Sequence, residues 1–127
     1  MPVTIYFTRK NNSQPAKEWI DSPKNSSIRA SIEARILRLE TEDIQSLIER
    51  KVVIPIKPDN KKNNILGLYE LRYVSSPGWR IAFYHDISID TYVLLCGFRK
   101  TQDVQKRDIN YARSLAYEYI EQRDERK

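Results

Sequence analysis

Between Leu68 and Lys100 apolar and polar positions fall into three β-rich runs, and the rest of the chain is organised around them. Leu68–Tyr73, Trp79–Asp86 and Thr91–Lys100 are rich in Tyr, Ile, Val, Phe and Leu, which suit a pleated, half-buried surface. Ser75-Ser76-Pro77-Gly78 and the polar Asp86–Asp90 segment have turn chemistry, so the pattern predicts a three-stranded antiparallel meander. With Val74–Gly78 as the first loop, Tyr73 lies opposite Trp79, Leu71 opposite Ile81, Tyr69 opposite Phe83 and Arg72 opposite Arg80. With Ile87–Asp90 as the second, Phe83 pairs with Leu94, Ile81 with Cys96 and Arg80 with Gly97.

Outside the meander the period changes. Val3–Thr8 alternates as a short strand; Pro15 then opens a helical pattern carried by Ala16, Trp19 and Ile20, and Pro23 stops it. Asn25-Ser26-Ser27 are capping residues ahead of Ile28, Ile32, Ile36, Leu39, Leu47 and Ile48, either one long helix or two that part near Thr41-Glu42-Asp43. Val52–Leu66, with two prolines, reads as a surface loop carrying Lys57, Lys61 and Lys62. A last helix is predicted from Gln105 to about Gln122, with Ile109, Ala112, Ala116, Tyr119 and Ile120 as its apolar stripe and residues 122–127 as a frayed tail. This order predicts a single α+β domain over residues 1–127: an antiparallel-dominated sheet, two N-terminal helices and a C-terminal helix.

The charge pattern then gives the sheet a second meaning. Side chains alternate between faces, so Tyr69, Leu71, Tyr73, Trp79, Ile81 and Phe83 share one face and the Arg72/Arg80 pair lies on the other. Like charges directly opposite one another are unfavourable, and two such cations need water or a bound anion. Arg99 is expected on the same face, or Lys100 if the register slips by one. The competing reading is that these side chains snorkel from a solvated face and pair with Glu70 or another carboxylate.

Composition supports an anionic partner without naming one: 22 Lys+Arg stand against 17 Asp+Glu, a net charge of +5 in 127 residues. Nucleic acid is the commonest such partner for a small basic domain, and no helix pattern joins a basic face to a strongly apolar one as membrane binding would require. No run reaches the ~20 apolar residues that span a bilayer, and the start, MPVTIYFTRK, lacks the apolar stretch of a signal peptide. The expected location is the cytoplasm. One cysteine, Cys96, excludes an intramolecular disulfide and sits in an apolar strand, where thiols are usually inert. No spacing suits a metal or a glycine-rich phosphate loop, and no cofactor is implied.

GLYELR at Gly67–Arg72, GWRIAFYHD at Gly78–Asp86 and YVLLCGFRKTQ at Tyr92–Gln102, followed by a helix containing DINYA, resemble in order and spacing the HigB-like toxins of the RelE/ParE superfamily. The resemblance covers Leu66 to about Ala116; before that it is architectural only. It implies a compact α+β, ribosome-dependent mRNA interferase, with mRNA on the ribosome as substrate and a cognate helix-turn-helix antitoxin as partner. By position it assigns Arg72 and Arg80 to RNA binding and transition-state charge, with Lys100 and Arg99 as the basic pair closing the last strand. The lysine-rich, Thr-Pro continuation common in the family is replaced by Asp103-Val104-Gln105-Lys106.

Such cleavage needs a deprotonated 2′-hydroxyl, in-line attack on phosphorus and a proton for the departing 5′-oxygen. With only His85 present, a two-histidine acid–base pair is impossible, and His85 alternates onto the core side with Ile81 and Phe83. The expected scheme relies on positioning and electrostatics from Arg72, Arg80 and Lys100. Tyr84 and His85 are candidates for proton transfer or base stacking, and Lys57, Lys61, Lys62, Arg99, Lys106 and Arg107 for RNA contacts. Two other classes stay open: a ParE-like toxin that binds a topoisomerase without cutting RNA, and a catalytically inactive nucleic-acid-binding relative.

Overall fold

The computed structural model describes residues 2–58, 65–73, 78–99 and 106–126. Strand β1 (Val3–Tyr6) leads into helix α1 (Pro15–Asp21), a 3-10 turn at Pro23–Asn25, α2 (Arg29–Thr41) and α3 (Ile44–Glu49). Strands β2 (Val53–Pro55), β3 (Leu68–Tyr73), β4 (Trp79–Asp86) and β5 (Thr91–Arg99) follow, and α4 (Lys106–Glu125) ends the chain. The strands form one mixed five-stranded sheet in the order β1-β5-β4-β3-β2, with β1 parallel to β5 and the other pairs antiparallel. Among the described residues no helix is long and apolar enough to cross a membrane.

The α+β class is as predicted, and the first hairpin has the predicted register: Arg72 opposite Arg80, Leu71 opposite Ile81, Tyr69 opposite Phe83, Tyr73 opposite Trp79. The loop Ile87–Asp90 also closes as predicted, with Asp86 opposite Thr91. Of the two arrangements open for the helical stretch after Asn25, the two-helix one is observed: Glu42 is extended and Asp43 caps α3, accepting the Ser46 N–H at 3.2 Å. Two expectations fail. The supposed loop after Val52 contains β2: Val52 and Val53 are buried, and Pro55, lacking an N–H, is tolerated because β2 is an edge strand. The C-terminal helix runs on to Glu125, because Arg123 is held by Asp86 instead of fraying.

A third difference bears on the site. Past Phe83–Leu94 the β4–β5 register shifts by one, so Ala82 pairs with Cys96, Ile81 with Gly97, Arg80 with Phe98 and Trp79 with Arg99. Leu95 is the extra residue of a β-bulge, which reverses the alternation for the rest of β5.

Both faces of the sheet are covered. Leu71, Trp79, Ile81, Phe83 and Leu94 pack against Ala16, Ile20, Ile32, Ile36, Leu39 and Leu47 of α1–α3. On the other face Leu68, Ala82, Val93, Leu95 and Cys96 pack against Ala112, Leu115 and Ala116 of α4. Small residues at 112 and 116 let α4 lie close to the sheet. The outer edge of β1 is closed by α2, where Glu40 accepts both the backbone N–H and the hydroxyl of Thr4 at 2.9 Å.

Candidate functional site

Alternation along β3 puts Leu68, Glu70 and Arg72 on the α4 side, and along β4 it puts Arg80, Ala82 and Tyr84 there. Arg72 and Arg80 are therefore cross-strand neighbours, and Glu70 stands two residues from Arg72 on the same face. The three are not equally accessible. Arg72 is half-buried, with Nε donating to the Lys51 carbonyl at 3.0 Å. Arg80 and Glu70 are both buried, and Arg80 Nη1 donates to Glu70 Oε1 at 3.4 Å.

The bland alternative thus holds in part: Arg80 has a carboxylate partner. That pair is loose, since a charge-assisted bond of good geometry measures about 2.7–2.9 Å. Arg80 Nε has no partner among the described residues. Burial pushes the Glu70 carboxyl above its ordinary range, although the charges of Arg80 and then Arg72 pull it down. A buried carboxyl beside a guanidinium only loosely paired with it is a site able to accept both an anion and a proton.

The bulge removes Arg99 from this face. Its guanidinium donates from Nε to Asn25 Oδ1 and from Nη2 to the Lys24 carbonyl, each at 3.0 Å, and so ties the end of β5 to the 3-10 turn beside α1. Gly97, expected opposite Arg80, lies instead against the ring of Trp19. Lys100, Lys61 and Lys62 lie outside the described residues.

Nor are the acid–base candidates beside the arginines. His85 is on the α1–α3 side, its ring 4.7 Å from that of Tyr92 and its Nε2 3.0 Å from Asp90 Oδ1. Five residues of strand place it about 16 Å along β4 from Arg80. Tyr84 shares the Arg80 face but packs against Tyr119 of α4, with ring centroids 5.9 Å apart. A cavity of about 320 Å³ opens beside Tyr84 and His85, at the Asp86 end of the strand.

Lys106 and Arg107 stand exposed on the first turn of α4, and the residue after them, Asp108, acts through its charge on the Cys96 thiol. Burial, and then Asp108, pushes that thiol up to about 12, so it stays protonated at neutral pH. Lys57 is exposed, and its carbonyl accepts Arg113 Nη2 at 2.9 Å, alongside the middle of α4. Among the described residues no group of three or more His, Cys, Asp or Glu is placed to share a metal ion.

Comparison with family models, with curated proteins and with solved structures finds no match for this chain. The site therefore rests on its own geometry. Glu70, expected only as a neutralising partner, is an acid whose carboxyl feels the charges of both arginines; the signal is present in the sequence, since i and i+2 on a strand share a face.

Proposed function

We propose that this protein is the toxin of a type II toxin–antitoxin pair, a ribosome-dependent mRNA endoribonuclease resembling the HigB-like members of the RelE/ParE superfamily. It would inhibit translation in the cytoplasm by cleaving mRNA on the ribosome without a metal, and a helix-turn-helix antitoxin would neutralise it. The observation that carries the reading is the cross-strand pair Arg72↔Arg80, two arginines directly opposite each other on one sheet face. Two cations on one face can share a phosphate, and in a partly water-excluded site fixed cations stabilise the charge that develops on phosphorus. The exposed Lys106 and Arg107, with Lys57, supply further positive charge on the α4 side of the molecule.

One observation favours the non-cleaving alternatives, a topoisomerase-binding toxin or an inactive nucleic-acid-binding relative: Arg80 already faces a carboxylate. Primer extension on an mRNA being translated in a purified system decides. Cleavage inside the reading frame by the wild type, absent without ribosomes and lost in folded Arg72→Gln and Arg80→Lys variants, is the expected result. Intact mRNA with normal peptide synthesis sinks the endoribonuclease reading, and inhibition of supercoiling would then favour the topoisomerase alternative.

A further inference from the structure

We propose that Glu70 is the general base of this site, taking the proton from the ribose 2′-hydroxyl that attacks the phosphate held by Arg72 and Arg80. The inference rests on the endoribonuclease reading and supplies the group that reading lacks. Cleavage by a 2′-hydroxyl needs a proton acceptor within hydrogen-bond reach of that hydroxyl, and so beside the cations that hold the adjoining phosphate. His85 is on the opposite face and engaged with Asp90, Tyr84 lies against Tyr119, and the Cys96 thiol is held protonated. Glu70 stands on the arginine face, two residues from Arg72 and in direct contact with Arg80.

The geometry also holds the Glu70–Arg80 pair loosely. The Glu70 side chain is 12% exposed and that of Arg80 11%, yet the pair closes only to 3.4 Å. A pair held this loosely can separate as a phosphate arrives: Arg80 turns its guanidinium from Glu70 to the non-bridging oxygens, and the carboxylate turns to the sugar. Arg72 stays anchored through its Nε on the Lys51 carbonyl, and its Nη groups, which bond to none of the described residues, turn to the phosphate. Burial has moved the Glu70 carboxyl towards the range where a carboxylate is an effective base, and the charges that act on it, Arg80 and Arg72, keep it ionisable.

In the step itself Glu70 accepts the 2′-O–H proton as the 2′-oxygen forms its bond to phosphorus. The bond from phosphorus to the 5′-oxygen breaks, and that oxygen leaves with the electron pair and takes a proton from water. The products are a 2′,3′-cyclic phosphate and a 5′-hydroxyl, and Glu70 returns its proton to solvent.

The test is single-turnover cleavage on programmed ribosomes across the acidic to neutral range, with wild type, Glu70→Gln and Glu70→Asp. The wild-type rate should rise with pH through an ionisation above the ordinary carboxylate range and then level off. Glu70→Gln should lower the plateau by about 10²–10⁴-fold and lose that limb, while retaining binding to ribosomes that carry a 2′-deoxy substitution at the scissile nucleotide. Glu70→Asp should keep a limb, shifted in pH. Near-wild-type cleavage by Glu70→Gln, or slow cleavage with the limb unmoved, overturns the base role and leaves the endoribonuclease reading standing. If melting curves show Glu70→Gln unfolded, an unshifted limb in Glu70→Asp overturns the role. A wild type that cuts nothing overturns the endoribonuclease reading itself, and the base role with it.

Discussion

The Tyr119 hydroxyl donates to Asp86 Oδ2 at 2.6 Å, joining the C-terminal half of α4 to the last residue of β4. Asp86 is 1% exposed and accepts from three further donors: Arg123 Nη1 at 3.2 Å and the Ser88 N–H and hydroxyl at 3.2 and 2.6 Å. Burial alone would raise this carboxyl, but the bonds from Ser88 and Tyr119 and the charge of Arg123 outweigh it and hold it below the ordinary range.

The first prediction follows from that lock. Asp86→Ala should cost about 2–4 kcal/mol, because it strands Tyr119 and Arg123 as well as losing their bonds, and Tyr119→Phe about 1–2 kcal/mol. A carboxyl depressed in the folded state contributes stability that is present above its unfolded pKa and lost as pH falls through the folded value. Urea denaturation should therefore show the wild type weakening below the ordinary carboxylate range, and Asp86→Asn losing much of that acid dependence. Equal acid slopes for the two proteins would show that Asp86 is not the group responsible.

A second prediction concerns Gly97. A Cβ there would lie 2.3 Å from Trp19 Cε3 and 2.6 Å from Cδ2, so the indole sits directly on the glycine. Gly97→Ala should destabilise by on the order of 1–3 kcal/mol, as overpacking a rigid ring does, and shift Trp19 fluorescence. An unchanged melting curve would mean that α1 can move off the sheet without cost.

The same glycine shows what the chain does and does not disclose before folding. The hairpin Leu68–Tyr73 with Trp79–Asp86 was legible because one face is apolar and the other carries Glu70, Arg72 and Arg80, which pins the register. Strand β5 offers no such contrast: Thr91 to Cys96 are all buried, since α1–α3 cover one face and α4 the other. A one-residue bulge at Leu95 leaves no mark on an uninterrupted apolar run, so plain alternation puts Arg99 and Gly97 on the wrong face. Strand β2 and the last turn of α4 were missed for another reason. Each is fixed by a long-range partner, β3 for Val53 and Asp86 for Arg123, which local pattern does not contain.

The third prediction concerns the edge of the sheet. Val3 and Ile5 of β1 are 54% and 41% exposed, and the outward Thr4 N–H is occupied by Glu40. Glu40→Ala removes two hydrogen bonds to a charged acceptor and should cost about 1–2 kcal/mol. It also frees a donor on an exposed apolar edge strand, so self-association should rise with concentration in sedimentation velocity. A variant that stays monomeric would show that β1 is too short to template another strand.

The last prediction separates two arginines that the sequence grouped together. Arg72 and Arg99 both belong to the meander, but Arg72 lies on the Glu70–Arg80 face while Arg99 holds Asn25 and Lys24 on the other side. Arg99→Gln should lower stability by about 1–2 kcal/mol, through two lost hydrogen bonds, and leave mRNA cleavage at its wild-type rate once folding is matched by temperature. Arg72→Gln should do the reverse. Its Nε bond to a backbone carbonyl contributes little at a half-exposed position, whereas removing one of two adjacent cations from a phosphate site should lower cleavage by on the order of 10²-fold. Thermal melts and primer extension on the same two variants check both halves. Should Arg99→Gln abolish cleavage while Arg72→Gln cuts normally, the catalytic face is the α1 side of the sheet, and the site centred on Arg72 and Arg80 is wrong.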